Sequence, residues 1–279
     1  LLENGLKELE NLIGLSSVKK EVQEILSLTK IKQERRFHGL LNDTNSRHMV
    51  FQGPPGTGKT TVARIIGKVY KSLGVLSKGH FVEVDRKKLI GRYIGQTTYK
   101  TYKLLEKASG GVLFIDEAYS LCKKWGDNHT DPYGDEAIEI LLKFMEDFRD
   151  DLVVIVAGYP NLMESFLKSN PGLKSRFNTY ISFPNYTEDE LLEILIKKAC
   201  ECGYILSQES KTILDQIIKI HSTNKKENNG NARSMRNLLD LAIKKQAFRL
   251  MQKDSRSKED LIRLTSEDFH LSEIELTNL

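Results

Sequence analysis

Cysteine is scarce, with three residues in 279: Cys122, Cys200 and Cys202. Three thiols cannot build a disulfide framework, and Cys200-Glu201-Cys202 lacks the spacing and further ligands of a zinc site, so a reducing, cytoplasmic setting fits. Proline is scarce as well, at 6 residues beside 19 glycines, which excludes collagen-like and Pro/Gly-rich disordered chains. No stretch approaches the ~20 consecutive apolar residues of a membrane helix, and no membrane span is expected. An excess of one charge is also missing. Lysine and arginine number 42 against 38 acidic residues, a net +4 spread along the chain, which is thin ground for a nucleic-acid partner. No Ser-His-Asp or Cys-His arrangement stands out. No signal peptide is visible, and a start at Leu1 rather than Met is compatible with a longer protein whose targeting region is missing.

What is present is 39% hydrophobic and 29% charged residues, the mix of a globular chain whose helices carry solvated faces. The length exceeds what one compact core usually fills, so a core with a smaller companion is expected. Leu6, Leu9 and Ile13, then Val18, Val22, Ile25 and Leu26, recur at helical spacing and predict two amphipathic helices broken at Gly14. After a loop from Asn42 to Ser46, short apolar runs alternate with helical ones, as in a parallel α/β sheet. Five strands are expected near Met49 to Gln52, Phe81 to Val84, Val112 to Ile115, Leu152 to Ala157 and Tyr180 to Phe183. From Tyr186 on, no further strand is expected. Thr187 with Glu190 makes a capping box for a helix with Leu191, Leu195 and Ala199 on one face. Ile213, Leu214, Ile217 and Ile218 mark a second helix and Met235, Leu238, Leu239 and Ala242 a third, separated by a polar loop from Asn224 to Asn229. The composition shift at Pro184 divides the chain into an α/β core, 1–185, and a small all-helical domain, 186–279.

Gly53-Pro54-Pro55-Gly56-Thr57-Gly58-Lys59-Thr60 fits G-x-x-x-x-G-K-[ST], directly after an apolar strand and directly before a helical run. Glycines let the backbone wrap a polyphosphate and aim its N–H groups inward. The helix N-terminus adds partial positive charge, and Lys59 a full one at the β/γ phosphates. Thr60 is the expected Mg²⁺ ligand. Val112 to Ile115 runs into Asp116 and Glu117. Successive strand residues face opposite sides, so the two carboxylates are expected to divide the work: Asp116 holds Mg²⁺ through water, and Glu117 polarises the attacking water.

These two motifs, with Leu12-Ile13-Gly14-Leu15 upstream and the helical tail downstream, resemble the AAA+ ATPases, whose lid follows the nucleotide core. More narrowly, Gly91-Arg92-Tyr93-Ile94-Gly95-Gln96-Thr97, Asp116-Glu117-Ala118-Tyr119-Ser120, Ala157-Gly158-Tyr159, Asn170-Pro171-Gly172-Leu173-Lys174-Ser175-Arg176-Phe177 and Gly230-Asn231-Ala232-Arg233-Ser234-Met235-Arg236-Asn237 are similar to the branch of red-type Rubisco activase (CbbX) and stage V sporulation protein K. The resemblance implies a P-loop AAA+ core with a five-stranded parallel sheet and a helical lid. It also implies a ring, hexameric by expectation, with ATP and Mg²⁺ between neighbours. Ile13, Gly14 and Thr61 join the cradle as nucleotide contacts. Arg176 becomes an arginine donated across the interface, and such fingers change turnover by roughly 10³ to 10⁵ in GTPase systems. Arg233 takes the place of the second sensor arginine, with Arg236 one turn on as the alternative. Tyr93-Ile94-Gly95 is similar to the pore-loop motif of threading relatives, where an exposed ring grips extended polypeptide by apolar burial and glycine lets the loop move. The fourth strand lacks the usual Asn or Thr of a water-positioning sensor, and Tyr159 and Asn161 are both candidates.

The segment from Cys122 to Asp135, with Trp125, His129 and aspartates 127, 131 and 135, is expected to be a solvated loop, because hard-metal sites need more ligands in fixed register. The function these features predict is ATP hydrolysis coupled to remodelling of a partner protein through a central pore. The competing reading is a DNA-acting AAA+ ATPase of helicase-loader type, and no helix-turn-helix or basic-aromatic stripe supports it. A nucleotide switch without efficient turnover conflicts with the presence of both Glu117 and Arg176.

Overall fold

A computed structural model describes residues 2–40, 46–91, 95–122, 131–224 and 230–271. They form two compact units, Leu1–Gly53 with Gly58–Phe183, and Pro54–Thr57 with Pro184–Leu279. The expected loop from Asn42 to Ser46 lies almost wholly outside the described residues.

In the first unit, α1 (Leu2–Glu10) and α2 (Ser16–Phe37) precede β1 (His48–Gln52), α3 (Lys59–Ser72), β2 (Phe81–Val84), α4 (Arg86–Leu89), α5 (Gln96–Ala108) and β3 (Val112–Ile115). A 3₁₀ turn at Ala118–Cys122 then leads to α6 (Pro132–Asp147), β4 (Val153–Gly158), α7 (Pro160–Ser169), α8 (Pro171–Arg176) and β5 (Phe177–Ser182). The break between α1 and α2 falls where expected: Gly14 and Leu15 both take positive φ, 59° and 57°. The five strands form one parallel sheet in the order β2-β3-β4-β1-β5. Every residue of β3 and β4 is buried, which is why these central strands read as unbroken apolar runs. Leu113, Ile115, Val154 and Val156 pack with Leu141, Phe144, Met145 and Phe166 from α6 and α7.

The register decides what the sheet presents at its carboxyl edge. Ile115 pairs with Val156, and Val156 with Val50. The Gly53 N–H continues the ladder by donating to the Gly158 carbonyl at 3.1 Å. The loops after β1 and β3 therefore both leave the sheet at its carboxyl edge, flanking β4, with β1 running two residues further than β3, at the edge where open parallel sheets bind ligands.

The second unit holds α9 (Glu188–Glu201), α10 (Gln208–Asn224), α11 (Ala232–Met251) and α12 (Lys258–Ile262). Both halves of the Thr187 and Glu190 capping box form. Leu191, Leu195 and Ala199 meet Leu214, Ile218, Met235, Leu238 and Ala242 in one core. The helical expectation needs one correction. Ile205–Leu206 (β6) and Arg263–Leu264 (β7) pair as a parallel two-residue ladder, too short to leave any periodicity in the sequence. Asn224, expected in a loop, ends α10, and 225–229 lie outside the described residues.

Candidate functional site

In the first unit, Gly53 ends the run of β1. A Cβ there would lie 2.2 Å from the Phe183 carbonyl oxygen, so only glycine fits. Lys59 opens α3, and its Nζ donates to the Gly53 carbonyl at 2.8 Å. This bond holds the ammonium over the loop's own backbone. Thr60 is half-buried and Thr61 exposed in the first turn of α3. Ile13 and Gly14 are half-buried in the turn before α2.

Asp116 and Glu117 lie one step beyond where the strand argument put them. β3 ends at Ile115, and both carboxylates sit on the turn that follows. Their separation therefore comes from this turn and not from strand alternation. The Asp116 N–H still bonds the Val84 carbonyl at 3.0 Å, and its Oδ1 accepts the Glu117 N–H at 3.0 Å. Glu117 takes φ 48°, in the left-handed region that a non-glycine residue enters only when its surroundings hold it there. Asp116 is half-buried and Glu117 exposed. Burial first, and then the negative charge of Glu117, push the Tyr119 hydroxyl up to about 12. The Tyr159 ring lies 6.4 Å from that of Tyr119, whereas Asn161 is exposed on α7. Of the two sensor candidates, the structure brings Tyr159 to this cluster.

Arg176 ends α8 with a side chain 28% exposed. Its Nη2 pairs with Glu146 Oε2 at 3.2 Å, Nη1 donates to the Gly172 carbonyl at 3.4 Å, and Nε is buried without a partner. Of the expected pore-loop residues, Tyr93 and Ile94 lie outside the described residues; Gly95, at φ 80°, caps α5. Trp125, Asp127 and His129 also lie outside them. Asp131 corrects the expectation of a solvated loop. It is 7% exposed, caps α6 through the Tyr133 N–H and pairs with Arg86, because a carboxylate taken out of water needs a cation and donors.

In the second unit, residues 54–57 pack against the start of α11. Gly56 has φ 72°, and a Cβ there would lie 2.1 Å from the Gly230 carbonyl oxygen. The Ala232 N–H donates to the Gly56 carbonyl at 3.2 Å, and the Thr57 hydroxyl to the Pro54 carbonyl at 2.9 Å. Asn231, quoted in the sequence motif without a role, is the organiser here. Its Nδ2 donates to the Pro55 carbonyl at 3.1 Å and to Asn185 Oδ1 at 2.9 Å, while its Oδ1 accepts the Tyr186 N–H at 3.0 Å. The Tyr186 hydroxyl reaches the Thr57 carbonyl at 3.4 Å, and burial followed by the Glu190 charge pushes it up to about 12. Arg233 and Arg236 are both exposed on the first turns of α11, so exposure does not choose between them.

Of the residues expected to ligate a cation, Thr60 offers a hydroxyl and Asp116 a carboxylate. Among the described residues no three His, Cys, Asp or Glu side chains converge as a cage. Hard oxygen donors in that small number suit Mg²⁺, which keeps several waters and takes one or two protein ligands beside phosphate.

A G-x-x-x-x-G-K-T loop after the first strand of a 2-3-4-1-5 parallel sheet, with acidic residues after the third and a helical unit following, is the build of a nucleotide-binding AAA+ protein. Residues 49–185 match the model of the ATPase family associated with various cellular activities (AAA), and residues 187–278 that of the AAA lid domain. Stage V sporulation protein K of Bacillus subtilis (strain 168) is 42% identical over 268 residues, covering 96% of this chain and 82% of that protein. Protein CbbX of Cereibacter sphaeroides is 47% identical over 251 residues, 90% and 80% of the two chains. The chloroplastic ribulose bisphosphate carboxylase/oxygenase activase of Cyanidioschyzon merolae is 45% identical over 259 residues, 92% and 87%. The chain belongs to the AAA+ ATPases, in the branch that holds CbbX and stage V sporulation protein K. Among the described residues no helix is long and apolar enough to cross a membrane.

Proposed function

We propose that the protein hydrolyses ATP with Mg²⁺ and uses the cycle, in a ring of like subunits, to pull a segment of a partner protein through a central pore. The observation that supports the hydrolytic part is the sheet order and register, which bring the loop after β1 and the Asp116-Glu117 turn after β3 out at the same carboxyl edge, on either side of β4. Backbone N–H groups of 53–60, the α3 N-terminus and Lys59 hold the polyphosphate. Thr60 and Asp116 would hold Mg²⁺, which when bound neutralises charge on the β and γ oxygens. Glu117, exposed on the turn after β3, accepts the proton of the attacking water. Arg176 of one subunit stabilises charge in the neighbouring subunit's pocket, so hydrolysis depends on assembly. Ile13, Gly14, Thr61 and Arg233 complete the nucleotide's surroundings, with Arg233 moving the lid domain, 186–279, according to nucleotide state.

The remodelling part is supported by kinship with proteins named Rubisco activase and CbbX, and Tyr93-Ile94-Gly95 are the residues assigned to grip the client. A soluble cytoplasmic setting and a protein client follow from the same reading. Glu117→Gln is the decisive variant. It is expected to hold ATP as tightly as the native chain while turnover falls by at least a hundredfold, and a pull-down with this trapped form identifies the client. Wild-type turnover by Glu117→Gln rejects the hydrolytic assignment. Intact remodelling by Tyr93→Ala rejects threading alone.

A further inference from the structure

Arg86 is a cation to which the nucleotide motifs give no task. It opens α4, whose start is fixed by Asp85: the Asp85 Oδ1 accepts the Lys88 N–H at 3.0 Å. The other end of α4 is fixed by Thr101, whose hydroxyl donates to the Leu89 carbonyl at 3.1 Å. From this seated turn the guanidinium makes two contacts. Nη1 donates to the Ser120 carbonyl at 2.8 Å, and Nη2 pairs with the Asp131 carboxylate. Asp131 is nearly buried and fixed in turn, because its Oδ1 accepts the Tyr133 N–H at 3.2 Å at the head of α6. A carboxylate that far from water holds its cation in place.

Ser120 closes the turn that Glu117 opens, its N–H donating to the Glu117 carbonyl at 2.8 Å. The turn needs holding, since Glu117 sits at φ 48°, a conformation that persists only where neighbours enforce it. α6 presses on the same turn: a Cβ on Gly134 would lie 1.8 Å from the Leu121 carbonyl oxygen. Arg86 donates to a carbonyl of this turn from outside it, and so ties the turn to the head of α6.

We propose that Arg86 is a positioning residue for Glu117. By tying the Ser120 carbonyl to the buried Asp131, it locks residues 117–120 in the one form that presents the Glu117 carboxylate to the attacking water. It touches neither nucleotide nor water, and its role rests on Glu117 being the proton-accepting group.

Arg86→Met removes both contacts but leaves the Asp131 carboxylate buried and unpaired. The double variant Arg86→Met/Asp131→Asn removes that charge while keeping a capping oxygen for Tyr133. Nucleotide affinity, kcat at saturating Mg-ATP and melting temperature are measured on the whole chain. The double variant should melt near the wild type and bind a fluorescent ATP analogue within about twofold of it, with kcat at least about tenfold lower. Arg86→Lys, which keeps the charge and one donor, should recover part of that loss. Wild-type kcat in the double variant, or a kcat loss that only tracks lost affinity or lost fold, overturns the proposal. Glu117→Gln measured alongside separates the two readings. If it hydrolyses ATP normally, the assignment of Glu117 fails and the positioning role with it; if it is inactive while the double variant is fully active, only the positioning role falls.

Discussion

His48 stands at the head of β1, 3% exposed, with Nδ1 accepting the Val154 N–H at 3.0 Å. Burial first, and then the positive charge of Arg176, lower its pKa from 6.5 to about 4. The folded chain thus keeps this ring neutral while the unfolded chain protonates it, so the unfolded state binds more protons across that interval. Stability is full above pH 6.5 and is lost as pH falls toward 4, and the interval corresponds to about 3 kcal/mol. Urea unfolding at a series of pH values should show that slope in the wild type. His48→Gln, which can keep an acceptor for Val154, should flatten it; an equally steep slope in the variant would assign the acid sensitivity to other groups. The same residue shows how charge is arranged around Arg176, since a protonated His48 beside it would place two cations together.

At the scale of elements, residues 54–57 are fastened to the start of α11 by Asn231, which is fully buried at φ 50°, ψ −130°. Asn231→Ala removes both bonds from Nδ2 and the acceptor for Tyr186, leaving half-buried polar groups without these partners at a cost of about 1 to 3 kcal/mol. Asn231→Gly loses the same bonds but relieves a backbone conformation that costs a non-glycine residue about 1 to 3 kcal/mol. The glycine variant should therefore unfold at higher denaturant than the alanine one, with ATP affinity reduced in both. Equal stability of the two would mean that the backbone is unstrained there. None of this was legible from spacing, because a polar residue fixed by a backbone N–H 45 positions away and a carbonyl 176 positions away leaves no local pattern. The elements that could be read were those that announce themselves locally. β3, buried throughout, is an unbroken apolar run, and α9 carries its capping box in four residues. β5 starts at Phe177, three residues before its expected start at Tyr180, because this edge strand has only Phe177 and Ile181 buried and shows no run. The phosphate loop is readable as chemistry and β3 ends at Ile115 as expected, whereas nothing in Ile-Asp-Glu marks the left-handed backbone that Glu117 takes in the turn beyond.

For the whole molecule, the question is whether one copy can complete the reaction alone. The Arg176 pair with Glu146 is largely exposed on the Glu146 side, at 57%, and pairs of that kind contribute about 0 to 1 kcal/mol. Arg176→Ala should therefore keep the fold and melt within a few degrees of the wild type, yet lose roughly 10³-fold in turnover if the guanidinium serves a neighbour's phosphate. Mixing makes the distinction between neighbour and self. Arg176→Ala subunits keep an intact pocket but donate no finger; Lys59→Ala subunits lose the pocket but still carry Arg176. Each alone should be inactive. In a one-to-one mixture that exchanges freely into head-to-tail rings, half the pockets are intact and half of those face a neighbour with Arg176, so roughly a quarter of wild-type activity should return. A mixture as inactive as its parts would place Arg176 in its own subunit's pocket, and full activity of Arg176→Ala alone would place it outside the reaction; in either case hydrolysis would no longer require a neighbour's arginine.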